Sequence, residues 1–277
     1  MRIPADERAS LNHVERLGLA FAGWMNETPA VQRAFYWLNL RLQRRFVMLG
    51  TSRRTHLIGL ERVASLEPDR GVIMAANHRT FLDQFFILAH LVEHLGFWRR
   101  WFFPVRSNFF YDNPLGILVN FLASSCNMYP PIFRPRAKRG VTRASLDFLI
   151  EQLRSPETFV GIHPEGTRGR GPDPYELLPA EPGFGRVLLQ SQAIVIPVFI
   201  NGISDNLARE TVYNYTGSGP PVIVAFGAPV DLSSLDGEDP RLLRNQVKAG
   251  RRVLADVARL AEEERDLRQR LAAGKAS

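Results

Sequence analysis

Cysteine is nearly absent from this 277-residue chain: Cys126 stands alone. That excludes an internal disulfide and any multi-cysteine metal site, and it fits a reducing compartment. Lysine is almost as scarce, with only Lys138, Lys248 and Lys275 among the 35 basic residues. Long apolar runs are missing as well. Nothing approaches the roughly 18 uninterrupted apolar residues of a spanning helix, so no transmembrane segment is expected. Behind Met1 come Asp6, Glu7 and Arg8 in place of an apolar stretch and a small-residue cleavage site, so no signal peptide is expected either. There is no Gly-x-Ser-x-Gly, which removes the nucleophile elbow of a Ser-His-Asp hydrolase.

What is present is an ordinary globular composition, 45% hydrophobic, with a net charge of +7 and a pI near 10.0. Such a charge favours acidic partners: nucleic acid, anionic lipid, phosphorylated metabolites or an acidic carrier protein. No nucleic-acid-binding motif accompanies it, so nucleic acid is not an expected partner.

Residues 10–49 read as two helices, the second begun by Thr28 as N-cap with Pro29 at its first position and closed by Gly50. Leu11, Val14, Leu17, Phe21, Trp24 and Met25 recur at helical spacing in the first, and Phe35, Trp37, Leu38, Leu42, Phe46 and Leu49 follow in the second. From Thr28 to Leu60 there is no acidic residue, while Arg33, Arg41, Arg44, Arg45, Arg53 and Arg54 all fall there. A basic, aromatic, amphipathic pair suits an interfacial membrane anchor, and it equally suits a helical hairpin packed on a core.

From about Thr55 the pattern becomes short β-type runs alternating with helical ones. Residues 56–63, 71–76, 101–105, 127–133, 158–163, 193–200 and 222–226 read as strands. Residues 83–94, 114–124, 141–153 and 185–191 read as helices, and a last helix runs from Asp239 and Pro240 towards Ala272 with a charged far end expected to project or fray. The alternation predicts an α/β fold, a largely parallel mixed sheet flanked by helices.

Two strand ends carry candidate chemistry. The first run ends at Asn77-His78, and His78 and Asp83 are five residues apart. On a continuous helix they would diverge by about 140°, so they meet only if the chain bends between them, as Thr80 capping a helix with Asp83 at its third position would allow. Asp83 acting purely as a cap fits the same spacing. The second run, Thr158 to His163, breaks into Pro164-Glu165-Gly166-Thr167-Arg168-Gly169-Arg170-Gly171. A Gly-rich loop with two arginines is either a phosphate cradle or a surface turn with solvated side chains.

Together, Asn77-His78-x-x-x-x-Asp83, Arg134 within Pro131-Ile-Phe-Arg134-Pro, Pro164-Glu165-Gly166-Thr167-Arg168 and Val195-Ile-Pro197-Val resemble the four ordered blocks of the glycerolipid acyltransferase family, which includes the lysophosphatidic acid acyltransferases. The resemblance spans about residues 70–205. It implies His78 as catalytic base, Asp83 as its orienting partner, and Arg134, Glu165, Gly166, Thr167 and Arg168 as acceptor-binding residues. It also implies an N-terminal two-helix membrane anchor, here residues 1–54, ahead of an acyltransferase domain at 55–277. The substrates implied are an acyl-CoA or acyl carrier protein thioester and a lysophospholipid such as 1-acylglycerol-3-phosphate, at an anionic membrane surface on the cytoplasmic side, with no cofactor. Glycerol-3-phosphate and ornithine-lipid acyltransferases share enough of these blocks to remain alternatives, and a catalytically quiet lipid-binding protein is the alternative of another class. His163 stands where the family often has an aromatic residue, and Pro182 replaces a common basic one. Finally, His90-x-x-Glu93-His94 matches the arrangement of some zinc peptidases, but no third ligand accompanies it, and no metal site is expected.

Overall fold

The segment Val72–Ala76 has no polar position to turn towards water, so as a strand it must be covered on both faces. In the computed structural model, which describes residues 1–64, 66–91 and 100–274, all five of its residues are buried. In chain order the elements are α1 (Ala5–Ala9), α2 (His13–Glu27) and α3 (Pro29–Leu38), the last continuing through π-helical Asn39–Gln43 into α4 (Arg44–Thr51). Then come β1 (Thr55–Ile58), α5 (Glu61–Ala64), β2 (Val72–Ala76), α6 (Asp83–Leu91), β3 (Arg100–Phe102), β4 (Val105–Arg106), α7 (Ser107–Phe110), α8 (Pro114–Ser124) and β5 (Pro131–Ile132). The rest are α9 (Arg139–Gln152), β6 (Thr158–Ile162), α10 (Pro182–Ser191), β7 (Ile194–Asn201), α11 (Leu207–Thr216), β8 (Val222–Phe226) and α12 (Leu243–Ala272).

The fold is α/β. Its six-stranded sheet has the order β1-β8-β7-β2-β6-β3, and a second sheet pairs β4 with β5. β1 runs parallel to β8, β2 to β7 and β3 to β6, while β7 and β8 are antiparallel, which makes the sheet mixed and mostly parallel.

The chain divides into two compact units. One comprises Met1–Arg44, Asp69–Gly71 and Phe97–Gly161. Within it Asn12 and Glu15 form a reciprocal capping box at the start of α2, and Glu15 also receives the Lys138 ammonium at 2.5 Å, which ties α2 to the turn before α9. Asn26 at the other end of α2 donates to the Cys126 carbonyl at 2.9 Å. Cys126 itself is buried, and burial pushes its thiol up to about 12, so it is not a reactive nucleophile.

The other unit comprises Arg45–Pro68, Val72–Gly96 and Ile162–Ser277. Here α12 covers β7 and β8 with Val257, Leu260 and Ala261 against Phe199 and Ala225. The charged far end of α12 does not fray. Glu264 is fully buried, accepting from Arg268 Nε at 2.7 Å and from the Tyr175 hydroxyl at 2.7 Å, and Tyr175 stacks on Phe199. A charge run had concealed a buried, fully partnered carboxylate.

Other boundaries moved for local reasons. The run 56–63 stops at Ile58 because Gly59 turns with φ +72° and α5 follows. Of 127–133 only Pro131–Ile132 is strand, since Ser125 and Cys126 take positive φ just upstream and prolines 130 and 131 offer no N–H to a ladder. The second N-terminal helix does begin with Pro29, but Thr28 makes no side-chain cap and the helix passes a π turn before ending at Thr51. Helix α11 had not been expected, although Asn206 caps it by accepting from Arg209 N–H at 3.0 Å and Gly217 ends it in the left-handed region.

Candidate active site

Strand β2 delivers Asn77 to its carboxyl end, and there the side chain continues the ladder in place of backbone. Asn77 Nδ2 donates to Ile200 O at 3.0 Å and its Oδ1 accepts from Ile200 N at 2.8 Å. A side chain so committed fixes where the next residue starts, and the next residue is His78.

The chain then bends, and Asp83 is what it bends around. Asp83 is fully buried at the first turn of α6, and its Oδ2 accepts the N–H groups of Arg79 at 2.8 Å and Thr80 at 2.9 Å. Its Oδ1 accepts the Thr80 hydroxyl at 2.6 Å. Only half of a capping box forms, because the Thr80 oxygen accepts from Leu82 N–H and not from Asp83 N–H. The same Oδ2 lies 3.2 Å from His78 Nδ1. Burial pushes the Asp83 carboxyl up, but hydrogen bonds from His78 and Thr80, with the nearby imidazoles, outweigh it and hold the group below the ordinary carboxylate range. An ionised Asp83 can only accept, so His78 carries its proton on Nδ1 and presents the lone pair of Nε2.

The loop after β6 clamps His78 from both sides of its backbone. The His78 N–H donates to Glu165 Oε1 at 2.9 Å, and the His78 carbonyl accepts from Gly169 N–H at 2.9 Å. Glu165 is buried, and its second oxygen accepts the Leu178 N–H at 2.7 Å. Burial pushes its carboxyl up, with the Leu178 and His78 N–H groups pulling the other way. Gly166 turns with φ +58°, where a Cβ would lie 2.6 Å from Glu181 Cγ, so the tight turn between Glu165 and Thr167 demands glycine. Arg168 stacks 3.9 Å over the Phe81 ring and pairs with Asp205 at 2.7 Å, while Asp205 also accepts the Phe81 N–H.

One residue of the site was missed by motif reading. His163 lies flat against His78, the ring centroids 3.8 Å apart and the planes 10° from parallel. Its Nδ1 is 3.1 Å from Ala76 O and 2.9 Å from Asn77 O, so that nitrogen bears the proton. Burial, aided by the neighbouring His78 imidazole, pushes the His163 pKa down to about 3, and the ring is neutral at physiological pH. The position where an aromatic residue was noted as usual therefore still supplies a ring face. That departure was the available signal.

His78, Asp83 and His163 bring nitrogen and oxygen atoms within 4.8 Å of one another. They are a poor metal set, because nearly parallel stacked imidazoles hold their lone pairs in separate planes that cannot converge on one ion. Of the zinc-type motif, His90 is buried in α6, and Glu93 and His94 lie outside the described residues.

Arg134 belongs to the unit that contains α2 and α9. It is exposed just after β5, where the Phe133 N–H and carbonyl both bond the Thr142 hydroxyl at 2.9 Å and pin the chain to α9.

Compared with curated proteins, the chain matches none. The family model described as Acyltransferase matches residues 54–201, which include the His78, Asp83 and Glu165 cluster. With more than half of its length matched, the chain belongs to the acyltransferase family.

Proposed function

We propose that the lipid acceptor of this acyltransferase is a glycerolipid hydroxyl, that of 1-acylglycerol-3-phosphate, which becomes phosphatidic acid, and that His78 is the general base. The observation that carries the reading is the contact of His78 Nδ1 with a buried, ionised Asp83 at 3.2 Å. It leaves Nε2 as the nitrogen that meets substrate.

The chemistry needs little more. The acceptor oxygen attacks the thioester carbonyl carbon as its proton passes to His78 Nε2, and Asp83 stabilises the imidazolium that forms. Collapse of the tetrahedral adduct breaks the carbon–sulfur bond, and the imidazolium returns its proton to the departing thiolate of acyl-CoA or acyl carrier protein. No acyl-enzyme forms, and the base is regenerated. His163, neutral and stacked, holds the His78 ring in place and keeps water from one face of it.

For the acceptor phosphate the fitting group is Arg168. Its guanidinium carries five N–H donors, of which Nη1 is on Asp205, and the stack on Phe81 sets its plane. Each charge-assisted hydrogen bond to phosphate contributes about 1.5–3 kcal/mol. Gly166 and Thr167 give the loop its turn beside it, and Arg134 is read as an acceptor-binding residue on the strength of the family resemblance alone. Glu165, with both oxygens on main-chain N–H groups, serves acceptor binding by holding the loop to His78. The basic N-terminal helices suit peripheral attachment to an anionic membrane, and among the described residues no helix is long and apolar enough to cross one.

The test is an acceptor panel: purified protein with acyl-CoA or acyl carrier protein thioester, and with lysophosphatidic acid, glycerol-3-phosphate or a lyso-ornithine lipid. Transfer is expected to lysophosphatidic acid, falling by about 10²- to 10⁴-fold in His78→Ala. Preferred transfer to another acceptor would reassign the substrate, and no transfer to any hydroxyl would sink the reading.

A further inference from the structure

Helix α8 was expected to be one of the helices covering the sheet, yet much of it faces outward. From Asn113 to Phe133 no residue is charged. Leu115, Leu118 and Leu122 are nevertheless 50–66% exposed. Their spacing of three and four places them within about 60° on one face, while Gly116, Asn120 and Ser124 are buried on the other. A charge-free helix with a solvated leucine stripe is not how a soluble surface is normally finished.

The stripe does not stand alone. Helices α2 and α8 approach so closely that a Cβ on Gly18 would lie 2.9 Å from Ile117 Cδ1. Phe121 of α8 contacts Phe21 of α2 and Phe35 of α3, each with ring centroids 5.8 Å apart. Beyond Phe21, α2 turns outward Leu17, which is 70% exposed, and Trp24, which is 53% exposed. The two helices thus share one apolar surface joined through the Phe21–Phe121 contact.

The surroundings indicate what covers it. A cavity of about 610 Å³ opens beside Leu17 and Trp24, with Leu11 and Leu19 in its wall and Arg8, Arg16 and Glu27 on its lining, Glu27 being paired with the Met1 ammonium. With Glu27 neutralised by the Met1 ammonium, the two arginines leave an apolar-walled cavity net basic, which fits an anionic amphiphile. On α3 and the turn after it, Arg33 and Arg41 are exposed, and Arg41 lies 5.8 Å over the half-exposed Trp37 ring. Arginines and indoles around an apolar surface are the makeup of a face that sits at a headgroup boundary.

We propose that α8 is a membrane-contact element: Leu115, Leu118 and Leu122 enter the interfacial layer of an anionic phospholipid leaflet together with Leu17, Phe21 and Trp24. The inference extends the membrane attachment read from the N-terminal helices to a helix within the 55–277 region, and it is independent of which acceptor is used.

The test compares full-length protein with Leu118→Asn/Leu122→Asn and with Leu17→Asn/Trp24→Gln in sedimentation with phosphatidylglycerol-containing vesicles. Both sets of changes lie on exposed positions, and thermal melts report whether each variant is folded. The α8 variant is expected to bind at least about tenfold more weakly while acyl transfer to acceptor dispersed in detergent micelles persists. Unchanged vesicle binding by the α8 variant, with loss only in the α2 variant, would overturn the inference and leave the N-terminal anchor standing. A concentration-dependent dimer of the parent protein that the α8 changes abolish would assign the stripe to a second copy instead. A direct measurement needs no loss of function. An environment-sensitive fluorophore on Leu118→Cys, the other cysteine being buried with its thiol pushed up to about 12, should shift blue on vesicles and be quenched by bromine-labelled lipid chains. A probe that stays in water refutes the contact.

Discussion

At the residue scale the proposed site combines a base, an orienter and a stacked ring, and each is separable by substitution. Asp83→Asn keeps the shape but removes the ionised acceptor, so the stabilisation of the imidazolium by a charge-assisted hydrogen bond, about 1.5–3 kcal/mol, should be lost. That corresponds to a fall in kcat of about 10- to 10²-fold, with KM for the acceptor little changed, and steady-state kinetics would show it. His163 makes a different kind of prediction. Its native pKa of about 3 lies below the ordinary 6.5, so as pH falls through 6.5 the unfolded chain takes up a proton that the folded one refuses. Stability is therefore full above about pH 6.5 and declines as pH falls towards 3, by on the order of 2 kcal/mol by pH 5. His163→Phe keeps a ring against His78 and removes this proton, so the acid slope of the urea midpoint should flatten between pH 8 and pH 5. An unchanged slope would show that the ring is not held neutral. The variant leaves two backbone carbonyls without the imidazole N–H, so its stability at neutral pH should be lower even as its slope is shallower.

At the element scale, the loop after β6 and the turn before α6 act as one unit because Glu165 and Gly169 grip the two ends of the same peptide group pair around His78. Glu165→Ala removes the acceptor for the His78 and Leu178 N–H groups at once. Two buried donors left without partners cost about 1–3 kcal/mol each, and kcat should fall with stability because His78, the proposed base, loses its footing. Differential scanning calorimetry and initial rates measure the two together. Gly166→Ala probes the turn. The left-handed backbone costs a residue with a Cβ about 1–2 kcal/mol, and contact with Glu181 adds to it, so a lower urea midpoint is expected. The elements themselves were unevenly legible. Pro114 as a first helical residue and the all-apolar run 222–226 each located α8 and β8 to the residue. Asn206 and Gly217 would have located α11 in the same way, but no apolar periodicity between them drew attention to it.

At the scale of the whole molecule, a net charge of +7 is carried mainly by arginine, and attraction to an anionic surface should weaken as salt shortens the Debye length from about 10 Å at 0.1 M to about 3 Å at 1 M. Vesicle sedimentation is expected to fall steeply over that range for mixed phosphatidylglycerol vesicles and to change little for phosphatidylcholine alone. Binding that is insensitive to salt would make the arginines bystanders. Residue spacing raised His78, Asp83 and the loop 164–168 as candidates, because a strand end followed by a capping turn is encoded by neighbours in sequence, while their roles came from the family resemblance. Spacing was enough for the α/β class, because alternating periods of 2 and 3.6 are local. The stack of His163 on His78, the use of both Glu165 oxygens by main chain, the burial of Glu264 and the exposure of the α8 leucines were decided only by the tertiary structure. Each depends on which distant segment lies opposite a side chain, and periodicity specifies that a helix or strand has an apolar face without specifying what, if anything, will cover it.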